Sequence, residues 1–324
     1  MSNKKLSLEG RDLLSITDLS RTEIEGIFKV AKDMEVIVRN RTKSQLLSDK
    51  ILGALFFQPS TRTRLSFTSA VQRLGGSALG FHSAAASRVA DPKYHETISD
   101  TAAMIDYYAD IIVIRHPEAS ASILCADRAD IPVINGGCGS VGAIVDISDI
   151  SAGEHPTQTL LDLYTIYKKR KTLDNLTVLC TGSMTGRATD TLCYSMSLFD
   201  NCRVLLNYPK EIGIPNSVEN RLKELKVNYE TLNTLEEGIP EVDVIYVCPT
   251  KNLLKLDIHP DNFVVNRAKL EAKAKDNCMV LHPLPRTDEL AEDVDDTLYA
   301  MYFEEAWNGL PIRMALLAML LGRA

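Results

Sequence analysis

Short apolar runs alternate with amphipathic segments along most of the chain. In the first part of the sequence, four apolar runs are long enough for strands, and the segments between them have helical spacing. Such an alternation is typical of a parallel sheet covered by helices. The predicted strands are residues 51–57, 77–81, 110–114 and 131–134.

The same alternation restarts after residue 171, which indicates a second domain. Predicted strands here are residues 176–181, 203–207, 242–247 and 279–281, and predicted helices are residues 187–199, 218–225 and 267–274. We therefore predict an α/β protein with two doubly wound parallel-sheet domains and an active-site cleft between them. The first domain is assigned to residues 1–170, with the apolar helix at 304–324 returning to it, and the second to residues 171–303.

A polar, basic turn follows the first predicted strand. It reads Ser60-Thr61-Arg62-Thr63-Arg64 and opens an amphipathic helix. Ser60 is predicted to cap this helix through its hydroxyl. Free first-turn amides, the positive end of the helix dipole and a guanidinium fork together suit a phosphate group.

Four further polar motifs lie just beyond a predicted strand or at a helix start. They are Arg115-His116-Pro117, His155-Pro156-Thr157-Gln158, Gly186-Arg187 and His282-Pro283-Leu284-Pro285-Arg286. In doubly wound sheets such loops converge on one crevice. Arg115, His155 and Thr63 can donate to a carbonyl oxygen that becomes negative during a reaction. Because no serine–histidine–acid set or nucleophilic cysteine is evident, we expect direct transfer between two bound substrates, without a covalent enzyme intermediate.

Composition narrows the range of partners. The 324 residues carry a formal net charge of −7, which argues against nucleic acid or a membrane surface as the main partner. Seven cysteines without a C-x-x-C pair fit reduced thiols in a cytoplasmic protein. Six histidines show no metal-binding spacing, so neither a metal nor another cofactor is expected. The N-terminus lacks the apolar core of a signal peptide.

Several motifs together resemble the aspartate/ornithine carbamoyltransferase family. These are F-F-Q-P-S-T-R-T-R-L-S-F, R-H-P, H-P-T-Q-T-L-L-D-L-Y and H-P-L-P-R, and the similarity runs from about Leu13 to Leu321. The ornithine branch typically has cysteine in both the H-P-T-Q and H-P-L-P positions. This chain therefore resembles the aspartate branch more closely.

The resemblance implies carbamoyl transfer from carbamoyl phosphate to an amino acid, most simply L-aspartate, in pyrimidine synthesis. It also implies a homotrimer with sites between subunits. Catalytic roles fall on Arg62, Thr63, Arg115 and His155. Carbamoyl phosphate would be held by Ser60, Thr61, Arg62, Thr63, Arg115, His155, Gln158, Pro283 and Leu284. The acceptor would contact Arg187, Lys251 and Leu284, and a neighbouring chain's loop would contribute Ser87 and Lys93.

The acceptor side departs from the family pattern. The second-domain loop usually carries an arginine and a glutamine, and here Pro249 and Lys251 occupy those positions. Residues 140–151 have no counterpart in the family pattern. Three readings therefore stay open: an aspartate carbamoyltransferase with a modified pocket, a carbamoyltransferase for another amine such as ornithine or a derivative, and a catalytically silent paralogue that binds carbamoyl phosphate.

Overall fold

The computed structural model of the protein describes residues 7–83, 96–139, 153–250 and 260–324. The chain divides into two compact units. The first contains the described residues up to Gly139, together with Glu154–Leu160 and Asn308–Ala324, and the second contains Leu161–Trp307. No helix in the described part of the chain has the length and apolar character needed to span a membrane.

The first unit is built on a four-stranded sheet in which every pair of neighbours is parallel. Its strands are β1 (Ile51–Phe56), β2 (Ser77–Phe81), β3 (Ile111–Arg115) and β4 (Val133–Asn135), and its helices are α1 (Arg21–Arg39), α2 (Thr61–Arg73), α3 (Ile98–Asp106) and α4 (Ala121–Ala126). The spatial order is β2-β1-β3-β4. Residues Ile111 to Ile114 of β3 are fully buried, as expected for a central parallel strand with both faces covered.

The second unit is built on a five-stranded parallel sheet. Its strands are β5 (Thr177–Thr181), β6 (Arg203–Asn207), β7 (Tyr229–Thr231), β8 (Val244–Val247) and β9 (Met279–Leu281), in the order β7-β6-β5-β8-β9. Its helices are α6 (Arg187–Ser195), α7 (Asn216–Glu224), α8 (Leu235–Gly238) and α9 (Arg267–Lys273). Two longer helices, α5 (Pro156–Arg170) and α10 (Tyr302–Leu320), have residues in both units.

The predicted α/β class with two parallel sheets is confirmed. All eight predicted strands are present, with ends shifted by no more than two residues. Strand β7 was not predicted, because Tyr229–Thr231 is a short, largely exposed edge strand with little apolar content. The helix predicted to run to residue 199 is α-helical only as far as Ser195, and a 3-10 turn, Met196–Leu198, follows it.

Both sheets have a switch point, where the strand order reverses direction. It lies between β1 and β3 in the first sheet and between β5 and β8 in the second. Open α/β sheets bind ligands outside the carboxyl ends of the strands at this point. Each predicted polar motif that follows a switch-point strand therefore lies, within its own unit, at the edge where such sheets bind ligands.

Candidate active site

Two loops leave the first sheet side by side at its switch point. Phe56 in β1 pairs with Arg115 in β3, and the Phe57 amide donates to the Arg115 carbonyl at 2.9 Å. Beyond this pair, β1 leads to Ser60 and β3 leads to His116. The S-T-R-T-R and R-H-P motifs therefore follow neighbouring strands at one edge of the first sheet.

The start of α2 lacks a side-chain cap. Ser60 occupies the N-cap position with an extended backbone, φ −151° and ψ 109°, but its hydroxyl makes no capping hydrogen bond. Our prediction of a hydroxyl cap at Ser60 is therefore wrong. The first-turn amides of a helix have no acceptor within the helix, and the dipole makes this end positive. With Thr61 and Arg62 exposed beside it, this helix start is suited to a phosphate group.

Thr63 links the start of α2 to the H-P-T-Q motif. Its Oγ1 lies 3.3 Å from Nε2 of His155, and both side chains are 5% exposed. The other ring nitrogen, Nδ1, lies 3.4 Å from Thr157 Oγ1. The His155 carbonyl accepts the Gln158 amide at 2.9 Å, which begins the first turn of α5. Two motifs that are far apart in the sequence therefore meet through a buried hydroxyl–imidazole contact.

Glu154 anchors the backbone that leads to His155. Its carboxylate accepts a hydrogen bond from Ser15 Oγ at 2.8 Å and another from the Ile16 amide at 3.1 Å. Sequence reasoning missed this residue, because Ser15 is 139 positions away and no spacing rule connects them. The contact holds the segment before α5 against the N-terminal part of the first unit.

Arg115 brings a second guanidinium to the same edge. Its Nη1 donates to the Gly136 carbonyl at 3.2 Å, which orients the side chain. Burial lowers the pKa of Arg115 to about 10, and the nearby charge of Arg62 lowers it as well. The group still carries its proton at neutral pH. Arg62 and the largely buried Arg115 bring two positive charges to this edge of the sheet, which favours a bound anion.

Arg187 lies at the start of the helix after the switch-point strand β5, as Arg62 lies at the start of the helix after β1 in the first unit. It is the first residue of α6, after β5, and is 4% exposed. Gly182 lies between them with φ +111°, and a Cβ there would be 2.4 Å from the Cys248 carbonyl oxygen. Only glycine permits this approach, so the chain segments after β5 and β8 lie in close contact.

The H-P-L-P-R motif follows β9 and is held by its own histidine. The Leu284 amide donates to His282 Nδ1 at 2.8 Å, and His282 Nε2 lies 3.0 Å from a carboxylate oxygen of Glu289. Leu284 has a φ of +47°. Pro283 and Leu284 were predicted site residues, whereas His282 and Glu289 were given no role. In the sequence, Glu289 is marked only by its position seven residues after His282, and this spacing predicts no contact unless the path of the turn is known.

The predicted site residues fall into two groups, one in each unit. The first unit contains Ser60, Thr61, Arg62, Thr63, Arg115, His155 and Gln158, and the second contains Arg187, Pro283 and Leu284. Ser87, Lys93, Lys251 and the segment 140–151 lie outside the described residues. Within the ranges that the structure describes, no three His, Cys, Asp or Glu side chains are grouped so as to hold a metal ion.

Family models match both halves of the chain. The model described as aspartate/ornithine carbamoyltransferase, carbamoyl-P binding domain, matches residues 11–168. The model described as aspartate/ornithine carbamoyltransferase, Asp/Orn binding domain, matches residues 174–320.

Individual relatives agree with the family models. The chain is 40% identical to an aspartate carbamoyltransferase catalytic subunit of Thermococcus gammatolerans, over 97% of this chain and 98% of the relative. It is 41% identical to the corresponding subunit of Methanosarcina acetivorans, with the same shares covered.

Solved structures give the same result. Aspartate transcarbamoylase from Trypanosoma cruzi, in complex with carbamoyl aspartate and phosphate, superposes with a TM-score of 0.83 at 29% identity, and 97% of each chain is covered. The catalytic subunit of M. jannaschii aspartate transcarbamoylase has a TM-score of 0.81 at 34% identity, over 96% of this chain and 98% of that one. The motifs, the two parallel sheets and these matches over nearly the whole length lead to one conclusion. The chain belongs to the aspartate/ornithine carbamoyltransferase family.

Proposed function

We propose that the protein transfers the carbamoyl group of carbamoyl phosphate to the amino group of L-aspartate, giving N-carbamoyl-L-aspartate and phosphate. Membership of the family and the names of the relatives support this reaction. The contact between Thr63 and His155 carries the proposal. It joins a phosphate-type helix start to a side chain that can interact with a carbonyl oxygen.

The phosphate of carbamoyl phosphate binds at the start of α2. Ser60, Thr61 and Thr63 supply hydroxyls, and the first-turn amides supply N–H donors. Arg62 is exposed at this helix start and supplies a guanidinium that can donate two parallel hydrogen bonds. The uncapped state of Ser60 supports this assignment, because the Ser60 hydroxyl does not itself accept a first-turn amide.

Charge develops on the carbonyl oxygen during the transfer. The aspartate amine attacks the carbonyl carbon, a C–N bond forms, and the carbonyl electron pair moves onto oxygen. Arg115, His155 and Thr63 stabilise this oxyanion. When the carbonyl reforms, the C–O bond to phosphate breaks, and the leaving phosphate takes up the proton that the amine has lost. Gln158 and the Pro283 and Leu284 carbonyls orient the carbamoyl amide.

The acceptor binds through its carboxylates. Arg187 binds one carboxylate, and Lys251 pairs with the side-chain carboxylate as a point charge, in place of the family's arginine fork. Pro249 is the one observation that favours a second candidate, a carbamoyltransferase for another amine, because proline supplies no donor where the family has arginine.

The active form is a cytoplasmic homotrimer in which Ser87 and Lys93 of a neighbouring chain complete the site. Light scattering on the purified protein tests the assembly, with three times the mass of one chain expected. Mixing an Arg62→Ala chain with a Lys93→Ala chain then tests the shared site. Activity should return in the mixture, because some sites in mixed trimers combine an intact Arg62 with an intact Lys93.

A panel of amines tests the reaction. Carbamoyl phosphate is incubated with aspartate, ornithine, succinyl-ornithine and putrescine in turn, and phosphate release above the spontaneous rate is measured. Release with aspartate supports the proposal. Release only with another amine supports the second candidate, and release with none supports a silent paralogue.

A further inference from the structure

A fully buried carboxylate lies beside the predicted site residues of the second unit. Glu289 and His282 are 0% and 1% exposed, and Thr250 is 4% exposed. An ionised carboxylate out of contact with water is costly unless donors surround it. The donors around Glu289 therefore show what the carboxylate holds in place.

Both Glu289 oxygens contact Thr287, and each also contacts one of the two segments that follow β9 and β8. Oε1 lies 3.0 Å from His282 Nε2 and accepts the Thr287 amide at 2.8 Å. Oε2 accepts the Thr250 hydroxyl at 3.1 Å, the Thr250 amide at 3.4 Å and the Thr287 hydroxyl. Burial raises the pKa of Glu289, but hydrogen bonds from His282 and Thr287 lower it by more than burial raises it, so that the pKa is about 2. The group is therefore anionic at neutral pH and accepts all of these bonds.

The His282 contact fixes the turn after β9. Because Nδ1 accepts the Leu284 amide at 2.8 Å, the ring proton is on Nε2 and points toward Glu289. The carboxylate therefore selects the tautomer that holds the Leu284 backbone. The Leu284 carbonyl is one of the two proposed to orient the carbamoyl amide.

The Thr250 contact fixes the segment after β8. Thr250 follows Pro249 and directly precedes Lys251, the proposed acceptor ligand. Both its amide and its hydroxyl are bound by the same carboxylate oxygen. One side chain thus holds the turn proposed to orient the carbamoyl amide and the residue next to the proposed acceptor ligand.

We propose that Glu289 is a positioning residue that couples the carbamoyl side of the site to the acceptor side, through His282 and Leu284 on one oxygen and Thr250 on the other. The inference rests on the proposed function. A glutamine at this position would keep one acceptor oxygen but would turn an NH₂ group toward the Thr250 amide, and two donors cannot bond to each other.

Two isosteric variants separate positioning from simple stability. Thr250→Val and Thr287→Val each remove one hydroxyl from the same oxygen, Oε2. Only Thr250 belongs to the acceptor segment. We expect Thr250→Val to raise the KM for aspartate about tenfold, because the free energy of one hydrogen bond to a charged group corresponds to about that factor. Thr287→Val should raise this KM clearly less. Thr250→Ser keeps the hydroxyl and should restore the wild-type KM.

The measurements are steady-state kinetics in both substrates, phosphate affinity by calorimetry, and melting temperature for each variant. Phosphate affinity should not change. If Thr250→Val and Thr287→Val lower the melting temperature alike and leave the KM for aspartate equal, the residues are merely structural and the inference is overturned. Wild-type activity is measured first. An inactive wild type contradicts the proposed function, whereas an active wild type with a normal Thr250→Val variant contradicts only the coupling.

Discussion

The Thr63 hydroxyl oxygen lies 3.3 Å from the His155 nitrogen Nε2, across 92 positions of sequence. Both side chains are buried, so the contact is shielded from solvent. Thr63 is in the first turn of α2, where a phosphate can bind, and His155 directly precedes α5. Through this contact, the helix start that can bind a phosphate lies directly beside His155, which can stabilise a carbonyl oxygen.

Arg62→Ala should weaken phosphate binding roughly 10- to 100-fold, because a charge-assisted guanidinium contact contributes roughly 1.5–3 kcal/mol. Isothermal calorimetry with inorganic phosphate and with carbamoyl phosphate measures the change. The matched control is Arg73→Ala, on the last turn of the same helix and about 16 Å further along its axis. Equal affinities for the Arg62→Ala and wild-type proteins would remove Arg62 from the phosphate site.

His155→Ala should lower kcat about 100-fold while phosphate affinity changes little, since loss of one oxyanion donor typically costs 10²–10³ in rate. Stopped-assay kinetics at saturating substrates measure kcat. His116→Asn is the control. His116 Nδ1 accepts the Glu118 amide at 3.0 Å, a bond that an asparagine oxygen can also accept. A His155→Ala enzyme with normal kcat would contradict the oxyanion assignment.

The sequence was most informative where a residue able to bind an anion falls at a strand end or helix start of the predicted β/α alternation. Arg62, Arg115 and Arg187 each lie at a strand end or helix start that the β/α alternation could place within its own sheet. The Glu154–Ser15 anchor was not predictable, because it depends on a contact between distant loops.

The Ser60 cap was predicted from residue type alone. The N-cap position is correct, but residue type does not determine how the hydroxyl is oriented. The same limit hid Glu289, which carries no motif of its own and becomes informative only through its five donors from three residues.

Glu289 should make the stability of the protein depend on acid pH. Its pKa is lowered from the ordinary 4.5 to about 2 in the folded protein, so it stabilises the fold fully above pH 4.5. That contribution, on the order of 3 kcal/mol, is lost as the pH falls from about 4.5 to about 2. Glu289→Gln should show a shallower decline of the unfolding free energy over this window. Urea titrations at several pH values measure it, and parallel declines in both proteins would contradict the assignment.

Gly182→Ala should destabilise the second unit by roughly 3 kcal/mol, because it combines a positive φ with a Cβ 2.4 Å from the Cys248 carbonyl oxygen. Gly10→Ala is the matched control. Gly10 also has a positive φ, +74°, but nothing lies within 4 Å of its added Cβ, so only the backbone cost of about 1 kcal/mol is expected. Thermal unfolding compares the two variants, and equal shifts would show that the close approach to Cys248 is absent.

Carbon-13 NMR of a reaction between [¹³C]carbamoyl phosphate and [¹⁵N]L-aspartate tests the transfer most directly. Direct attack of the amine on the carbonyl carbon predicts a new carbonyl signal split into a doublet by one-bond coupling to ¹⁵N, growing with the protein concentration. A label that appears only in bicarbonate, or a new carbonyl signal without ¹⁵N splitting, would show that this chain does not join the carbamoyl group to aspartate.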